Sequence, residues 1–281
     1  MALGFVKTEL NYRVRPEWLP AIERIISSGA MTAVSVHNVF PETKDERFGT
    51  DSVLLGYEDE TLRTKAVEYG KQSIDHACRL GAKAVVFHPT EVPLDPKQYD
   101  VPLKKLIAAH RRDSEEYIRL QTRMLAMRLS TPYLSRTLRS IEELCSYVVK
   151  NGLKIKLGME NRAMCHQVPI FSEFDIIAER FDNSPAGIWL DTGHAIMMIE
   201  MGLQQLPLSP IVKRNIVGMH IHDAADGLDH YAPCTLPGNV LEPFREYISA
   251  SPIKVLELSG RLSAEEILKG TEQFLDDFGR T

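Results

Sequence analysis

Cysteine is scarce and scattered. The four in 281 residues, Cys78, Cys145, Cys165 and Cys234, form no CxxC pair, so neither a zinc ribbon nor a disulfide framework is indicated, and a reducing cytoplasm is the expected compartment. Long apolar runs are missing too: Arg13, Arg15, Glu17 and Glu23 interrupt the start of the chain, and no uncharged apolar stretch reaches the ~20 residues of a bilayer span. There is no excess charge of one sign. A net charge of −5 and a pI near 6.0 give no global pull toward nucleic acid or an anionic membrane. Linkers, low-complexity tracts and internal repeats are also absent, and with 44% hydrophobic and 25% charged residues positions 1–281 are expected to form a single domain.

Present instead is a regular alternation. Short apolar, β-rich runs at Val6–Leu10, Ala33–His37, Ala84–His88, Lys154–Glu160, Ile188–Asp191, Val217–His222 and Lys254–Leu258 are separated by helical segments. Such alternation predicts an α/β fold of parallel strands joined by crossover helices, and near-continuous apolar runs suit strands covered on both faces. Pro16 opens a helix that closes near Gly29, and a periodic segment over 60–80 ends at Gly81. Thr131 and Pro132 mark an N-cap and a first helical position, dividing 103–151 into two helices. Ser263 and Glu266 form a capping box for the last helix. Seven strands fall one short of a closed eight-stranded barrel. The expected gap lies beside Val6–Leu10, an edge to be covered by a helix, a loop or a second chain, which would make a homo-oligomer.

Polar groups at the carboxyl ends of these strands carry the functional signal. His37, His88, Glu160, Asp191, His220 and Glu257 each close an apolar run. In a parallel barrel those ends converge on one mouth, where active sites lie. Carboxylates and imidazoles meeting there from different strands would repel or go unpaired without a cation, so a divalent metal is implied. Alternation along a strand also brings His222 toward the mouth beside His220.

The segments Leu157-Gly-Met-Glu160-Asn161, Leu190-Asp191-Thr-Gly-His194, Gly218-Met-His220-Ile-His222-Asp223 and Val255-Leu-Glu257 resemble the signature of the xylose isomerase-like barrel superfamily, over nearly the whole chain. The resemblance implies a (β/α)8 TIM barrel, here lacking or shortening its first strand, because members usually carry a strand–helix unit before the segment that looks like Leu3-Gly-Phe-x-x-x-Glu9-Leu10. It also implies an ion on Glu160, Asp191, His220 and Glu257, with zinc or manganese expected and magnesium or cobalt as alternatives. Members include sugar isomerases and epimerases, dehydratases and endonuclease IV-type phosphodiesterases. In the endonuclease branch the counterparts of His37, His88, His194 and His230 are further ligands, and adjacent ions ~3.5–4 Å apart suit phosphate-ester hydrolysis.

Three features bear on that choice. The endonuclease branch has an Asp-x-His pair after the His220 strand, whereas this chain has Leu228-Asp229-His230, so a third ion needs Asp226 or Asp229 to swing in. The loop Tyr231 to Asn239 is longer than the usual Gly-rich turn. Residues 104–139 hold nine basic side chains (Lys104, Lys105, Arg111, Arg112, Arg119, Arg123, Arg128, Arg136, Arg139) against Asp113, Glu115 and Glu116. These are expected to form a solvated helical face with pairs such as Arg112–Glu116, the alternative being a polyanion contact.

The expected activity is therefore a metal-dependent isomerase or epimerase acting on a small sugar or sugar phosphate. Glu160 and Glu257 would be acid and base, His194 would orient a hydroxyl, and His37, His88 and His222 would line the substrate pocket. The alternatives are a multi-zinc phosphodiesterase, for which nucleic acid would be the partner, and a lyase or dehydratase on the same barrel.

Overall fold

The computed structural model describes residues 3–279. Its seven long-range strands are β1 (Lys7–Leu10), β2 (Thr32–His37), β3 (Ala84–Phe87), β4 (Lys156–Glu160), β5 (Ala186–Asp191), β6 (Ile216–Ile221) and β7 (Lys254–Leu256). They pair in chain order, all parallel, so that β1 and β7 are the two edges of the sheet. All seven expected strands form, within two residues of their expected ends. No strand lies within 100–150. No helix among the described residues is long and apolar enough to cross a membrane.

The helices marked by capping signals all form, with one addition. A turn at Pro16–Trp18 leads into α1 (Leu19–Ser27), and α2 (Glu60–Arg79) is followed by Gly81 at φ +76°, a left-handed position that glycine reaches without strain. The segment expected to hold two helices holds three: α3 (Asp100–Ala108), α4 (Glu115–Leu129) and α5 (Tyr133–Lys150). The break at Thr131-Pro132 is present, but Pro132 takes the N-cap position rather than the first helical one, and Thr131 Oγ1 donates back to Arg128 O at 3.0 Å instead of capping the helix. The missed break comes from His110 at φ 55° and from Ser114, whose hydroxyl caps the N–H of Tyr117 at 3.2 Å. Then come α6 (Phe171–Arg180), α7 (Thr192–Glu200), α8 (Pro210–Arg214), α9 (Arg245–Ala250) and α10 (Ala264–Phe278). The expected box opens α10: Glu266 N–H donates to Ser263 Oγ, and Ser263 N–H donates to Glu266 Oε2 at 2.7 Å.

Strand residues alternate between two cores. Outward-facing Val36, Val85, Phe87, Leu157, Met159, Ile188, Leu190, Met219 and Ile221 pack against Val67 and Ile74 of α2, Ile141 and Leu144 of α5 and Phe174 and Ile177 of α6. The inner face is built in layers. Positions two residues before the strand-end polar groups are Ser35, Val86, Gly158, Trp189, Gly218 and Val255, and the period of two places each beneath its successor. Trp189 fills this layer. A Cβ on Gly158 or Gly218 would lie 2.8 or 2.1 Å from its ring, so glycine on both flanking strands is what admits the indole. It forms a floor under His220, with ring centroids 5.2 Å apart.

Candidate metal centre

The layer above the floor brings the six strand-end groups together. Glu160 is fully buried at its centre. Its Oε1 lies 3.2 Å from His220 Nδ1 and 3.3 Å from His194 Nδ1, and its Oε2 lies 3.3 Å from His37 Nε2 and 3.1 Å from His88 Nε2. Asp191 Oδ2 and Glu257 Oε2 stand 3.7 and 2.9 Å from His220 Nδ1. Ligand atoms of Glu160, Asp191, His220 and Glu257 all fall within 4.8 Å of one another, as do those of His37, His88 and Glu160 and those of His194, His222 and His230.

Local structure fixes each carboxylate and ring. Asp191 ends β5 and caps α7, its Oδ1 accepting the N–H of His194 at 2.7 Å, where the helix terminus favours negative charge. Asn161 extends the strand pairing with its side chain: Oδ1 accepts from Asp191 N at 2.7 Å and Nδ2 donates to Asp191 O at 2.9 Å. His220 Nε2 donates to Glu9 Oε1 at 2.9 Å, and Glu9 Oε2 is held by the Ser35 hydroxyl at 2.6 Å. With Nε2–H committed to Glu9, the Nδ1 lone pair points at Glu160 and Glu257. Glu257 Oε2 is correspondingly buried without a hydrogen-bond donor. Lone pairs converging from one imidazole and three carboxylates fit a divalent cation, and the outer carboxylate on the ring is the usual support of a metal-ligating histidine.

Electrostatics say the same. Burial would lower the His220 pKa, but Glu257, Glu9 and Glu160 outweigh it and hold it well above the ordinary value. Burial would raise Glu160, but His220, His88 and His194 hold it well below. The cluster requires positive charge, as a proton or as an ion.

On the Oε2 side the surroundings differ. His37 donates from Nδ1 to Asn38 O at 3.0 Å, with Tyr12 edge-on at 5.2 Å between centroids. His88 donates from Nδ1 to Asp51 Oδ1 at 2.8 Å, and its Nε2 accepts from Nη1 of Arg162. Arg162, nine-tenths buried, also donates from Nη2 to Asp51 Oδ1 at 2.7 Å. Burial and this guanidinium push the His88 pKa below its ordinary value. Glu9, Tyr12, Asp51 and Arg162 carried no site role in the sequence reading. Arg162 has a local signal, two residues after Glu160, whereas Asp51 has none.

His222, expected at the substrate pocket, is fully buried with both ring nitrogens engaged: Nε2 donates to Asp191 Oδ2 at 3.0 Å and Nδ1 accepts from the backbone N–H of His230 at 2.9 Å. It orients Asp191 and a hairpin rather than facing an open pocket, and Gly193 leaves room for its ring. That hairpin pairs Asp223–Ala225 with Leu228–Tyr231 across a left-handed turn at Asp226 and Gly227. An irregularity before Tyr231, with His230 at φ 61°, turns the neighbours Asp229 and His230 toward His194. Asp229 Oδ2 lies 3.7 Å from His194 Nε2, and Oδ1 lies 3.8 Å from His230 Nε2. Asp229 thus swings in despite the leucine at 228. The longer loop beyond is pinned by Asp223, which accepts from the N–H groups of Cys234, Thr235 and Leu236 at 2.9–3.0 Å.

Most of the basic stretch 104–139 faces solvent, as expected: Lys105, Arg111, Arg112, Arg119, Arg123 and Arg139 are exposed, and only Arg128 is buried. Arg128 is buried on Glu173 at 2.6 and 2.7 Å, Arg139 meets Glu60, and Arg136 donates to Gly56 O at 2.8 Å. The expected Arg112–Glu116 pair does not form. Arg111 takes Glu116 at 3.4 Å, while Arg112 donates to Glu200 O at 2.9 Å.

The sequence profile of the xylose isomerase-like TIM barrel family matches residues 2–251. No curated protein matches the chain by sequence. Among solved structures, a D-psicose 3-epimerase with D-fructose present superimposes with a TM-score of 0.62 at 12% identity, covering 99% of this chain and 91% of that one. A 3-keto-D-glucoside 4-epimerase from E. coli gives 0.59 at 12% identity over 98% and 90%. Endonuclease IV from Thermus thermophilus gives 0.55 at 17% identity over 98% and 89%. At these identities the likeness is one of fold.

Proposed function

This chain belongs to the xylose isomerase-like TIM barrel family, and from that premise we propose that it is a divalent-metal-dependent epimerase or isomerase of a small sugar or sugar phosphate. One observation carries the reading: Glu160 and Glu257, on separate strands, approach the same His220 lone pair at 3.2 and 2.9 Å. Two carboxylates so placed converge on one point from separate strand ends, and in this reading they act on the two faces of a substrate carbon. A divalent ion on Glu160, Asp191, His220 and Glu257 supplies Lewis-acid charge for two vicinal substrate oxygens and for the negative charge that develops beside the carbonyl. Glu257, whose side chain is 25% exposed, faces the mouth and removes the proton next to the carbonyl. Glu160, fully buried, passes to the opposite face a proton drawn from His194, whose Nδ1 lies 3.3 Å from its Oε1, while Glu257 releases the abstracted proton to solvent. His194 is fixed through Nδ1 on Asn161 O at 2.9 Å, which leaves Nε2 to orient a hydroxyl. That sugar epimerases share this fold supports the reading.

A second reading, an endonuclease IV-like phosphodiesterase, is favoured by the two additional clusters, His37 with His88 and His194 with His230 and Asp229. Deuterium exchange separates the two. Metal-loaded protein incubated with ketohexoses or their phosphates in D2O should incorporate deuterium beside the carbonyl and form the epimer, followed by NMR. Absence of exchange, with cleavage of duplex DNA at an abasic site and loss of one bound ion in His88→Ala, would establish the hydrolase instead.

A further inference from the structure

We infer that Arg162 closes the His37–His88–Glu160 cluster to a metal ion by taking the His88 lone pair, so that the chain's own guanidinium supplies the cation on that side of Glu160. An imidazole nitrogen has one lone pair. His88 Nδ1 carries its hydrogen, because it donates to Asp51 Oδ1 at 2.8 Å, so the lone pair is on Nε2. That atom accepts from Nη1 of Arg162. A lone pair committed to an N–H is not available to an ion, which leaves only His37 and Glu160, too few to hold a divalent ion firmly.

Apart from His88 the guanidinium has a single anchor among the described residues. It is nine-tenths buried, its Nε is without a partner, and its other anchor, Asp51 Oδ1 at 2.7 Å, is the same atom that holds His88. Imidazole and guanidinium are thus tied through one carboxylate oxygen. The inference rests on the proposed single-ion reading and explains how a chain carrying the extra histidines keeps one ion.

The test counts ions. Wild type, His88→Ala, Arg162→Met and the double variant are loaded with Co(II), and separately with Zn(II), freed of loose metal by gel filtration, and assayed by atomic emission and Co(II) absorbance. His88→Ala should hold as many ions as wild type. Arg162→Met should gain one ion per chain, and the double variant should return to the wild-type count. A loss of one ion in His88→Ala, or a folded Arg162→Met with no gain, would overturn the inference. If Arg162→Met does not fold, Arg162→Gln takes its place, and the wild-type comparison with His88→Ala decides by itself. Failure of the epimerase reading has another signature: no exchange in D2O, whatever Arg162 does to the ion count.

Discussion

Glu160 looks onto two half-sites made of the same side chains. On its Oε1 side stand His220 and His194, backed by Asp191, Glu257 and Glu9; on its Oε2 side stand His37 and His88, backed by Arg162 and Asp51. Imidazole geometry is similar in both, with nitrogens 3.1–3.3 Å from the carboxylate. Charge is not. One side gathers carboxylates around a lone pair with no Lys or Arg in ion-pair contact among the described residues, and the other brings its own guanidinium. Ligand-type residues at ligand-type distances therefore do not by themselves define an ion site; what the remaining neighbours do with each lone pair decides it.

The most severe test of this contrast removes one imidazole from each side. His220→Ala should abolish stable ion binding and lower exchange activity by roughly 10²–10⁴-fold, the span of lost general acid–base and metal assistance. His37→Ala should leave the ion count unchanged. An equal loss of metal from both variants, measured by atomic emission, would erase the distinction between the two sides.

A second test acts on the loop that carries Arg162. His166 anchors it, with Nε2 3.5 Å from Glu91 Oε2 and Nδ1 3.7 Å from buried Asp100 Oδ1. Burial would lower the His166 pKa, but Asp100 and Glu91 outweigh it and raise it to about 9. Because the folded value exceeds the unfolded one, this contribution is complete below about pH 6.5 and is lost as pH rises through about 9. Its ceiling is on the order of 3 kcal/mol. Urea melts of wild type should weaken between those pH values, while His166→Gln should show a flatter profile there. Parallel profiles would exclude His166 as the anchor.

Much of the centre was readable because polar residues ending buried strands are costly without a partner. His37, His88, Glu160, Asp191, His220 and Glu257 all stand within one residue of a strand end and all meet at one mouth. The parts not readable arise where chain-local rules stop. Arg162 lies beyond the last residue of β4, where strand alternation no longer guarantees a face. Asp51 reaches it across 111 residues from an irregular segment. Asp229 enters at an irregularity in the hairpin ladder next to His230 with its left-handed backbone, where a two-residue period would not place it. The break between α3 and α4 did leave a local signal, since histidine is one of the residues enriched at positive φ and Ser114 followed by Glu115 and Glu116 is an N-cap with an acidic first turn.

Glu9 probes the carboxylate side from outside the ligand set. Glu9→Gln keeps shape and the Ser35 contact but weakens the acceptor that fixes the His220 ring at 2.9 Å. Metal affinity should fall by about 10–100-fold, the usual effect of losing an outer carboxylate on a metal-bound histidine. The thermal midpoint of the metal-free protein should stay close to wild type. Co(II) titration reads the first quantity and calorimetry the second. A large drop in the metal-free midpoint with unchanged affinity would make Glu9 a packing residue.

The smallest expected effect is at Asp229, and it tests whether a third half-site belongs with the carboxylate side or with neither. Its carboxylate is 26% exposed and stands at 3.7 and 3.8 Å from His194 and His230, longer than a hydrogen bond. His222, the remaining member of that histidine group, has its lone pair on the backbone N–H of His230 and its other nitrogen on Asp191. Only two imidazole lone pairs are then left for an ion, beside a carboxylate open to water. Asp229→Asn should therefore leave the ion count unaltered and change exchange activity by at most about fivefold, the scale of a partly exposed ion pair. Loss of one ion per chain in this variant would show that the left-handed turn at His230 has built a metal site from adjacent residues, and would move the protein toward the phosphodiesterase reading.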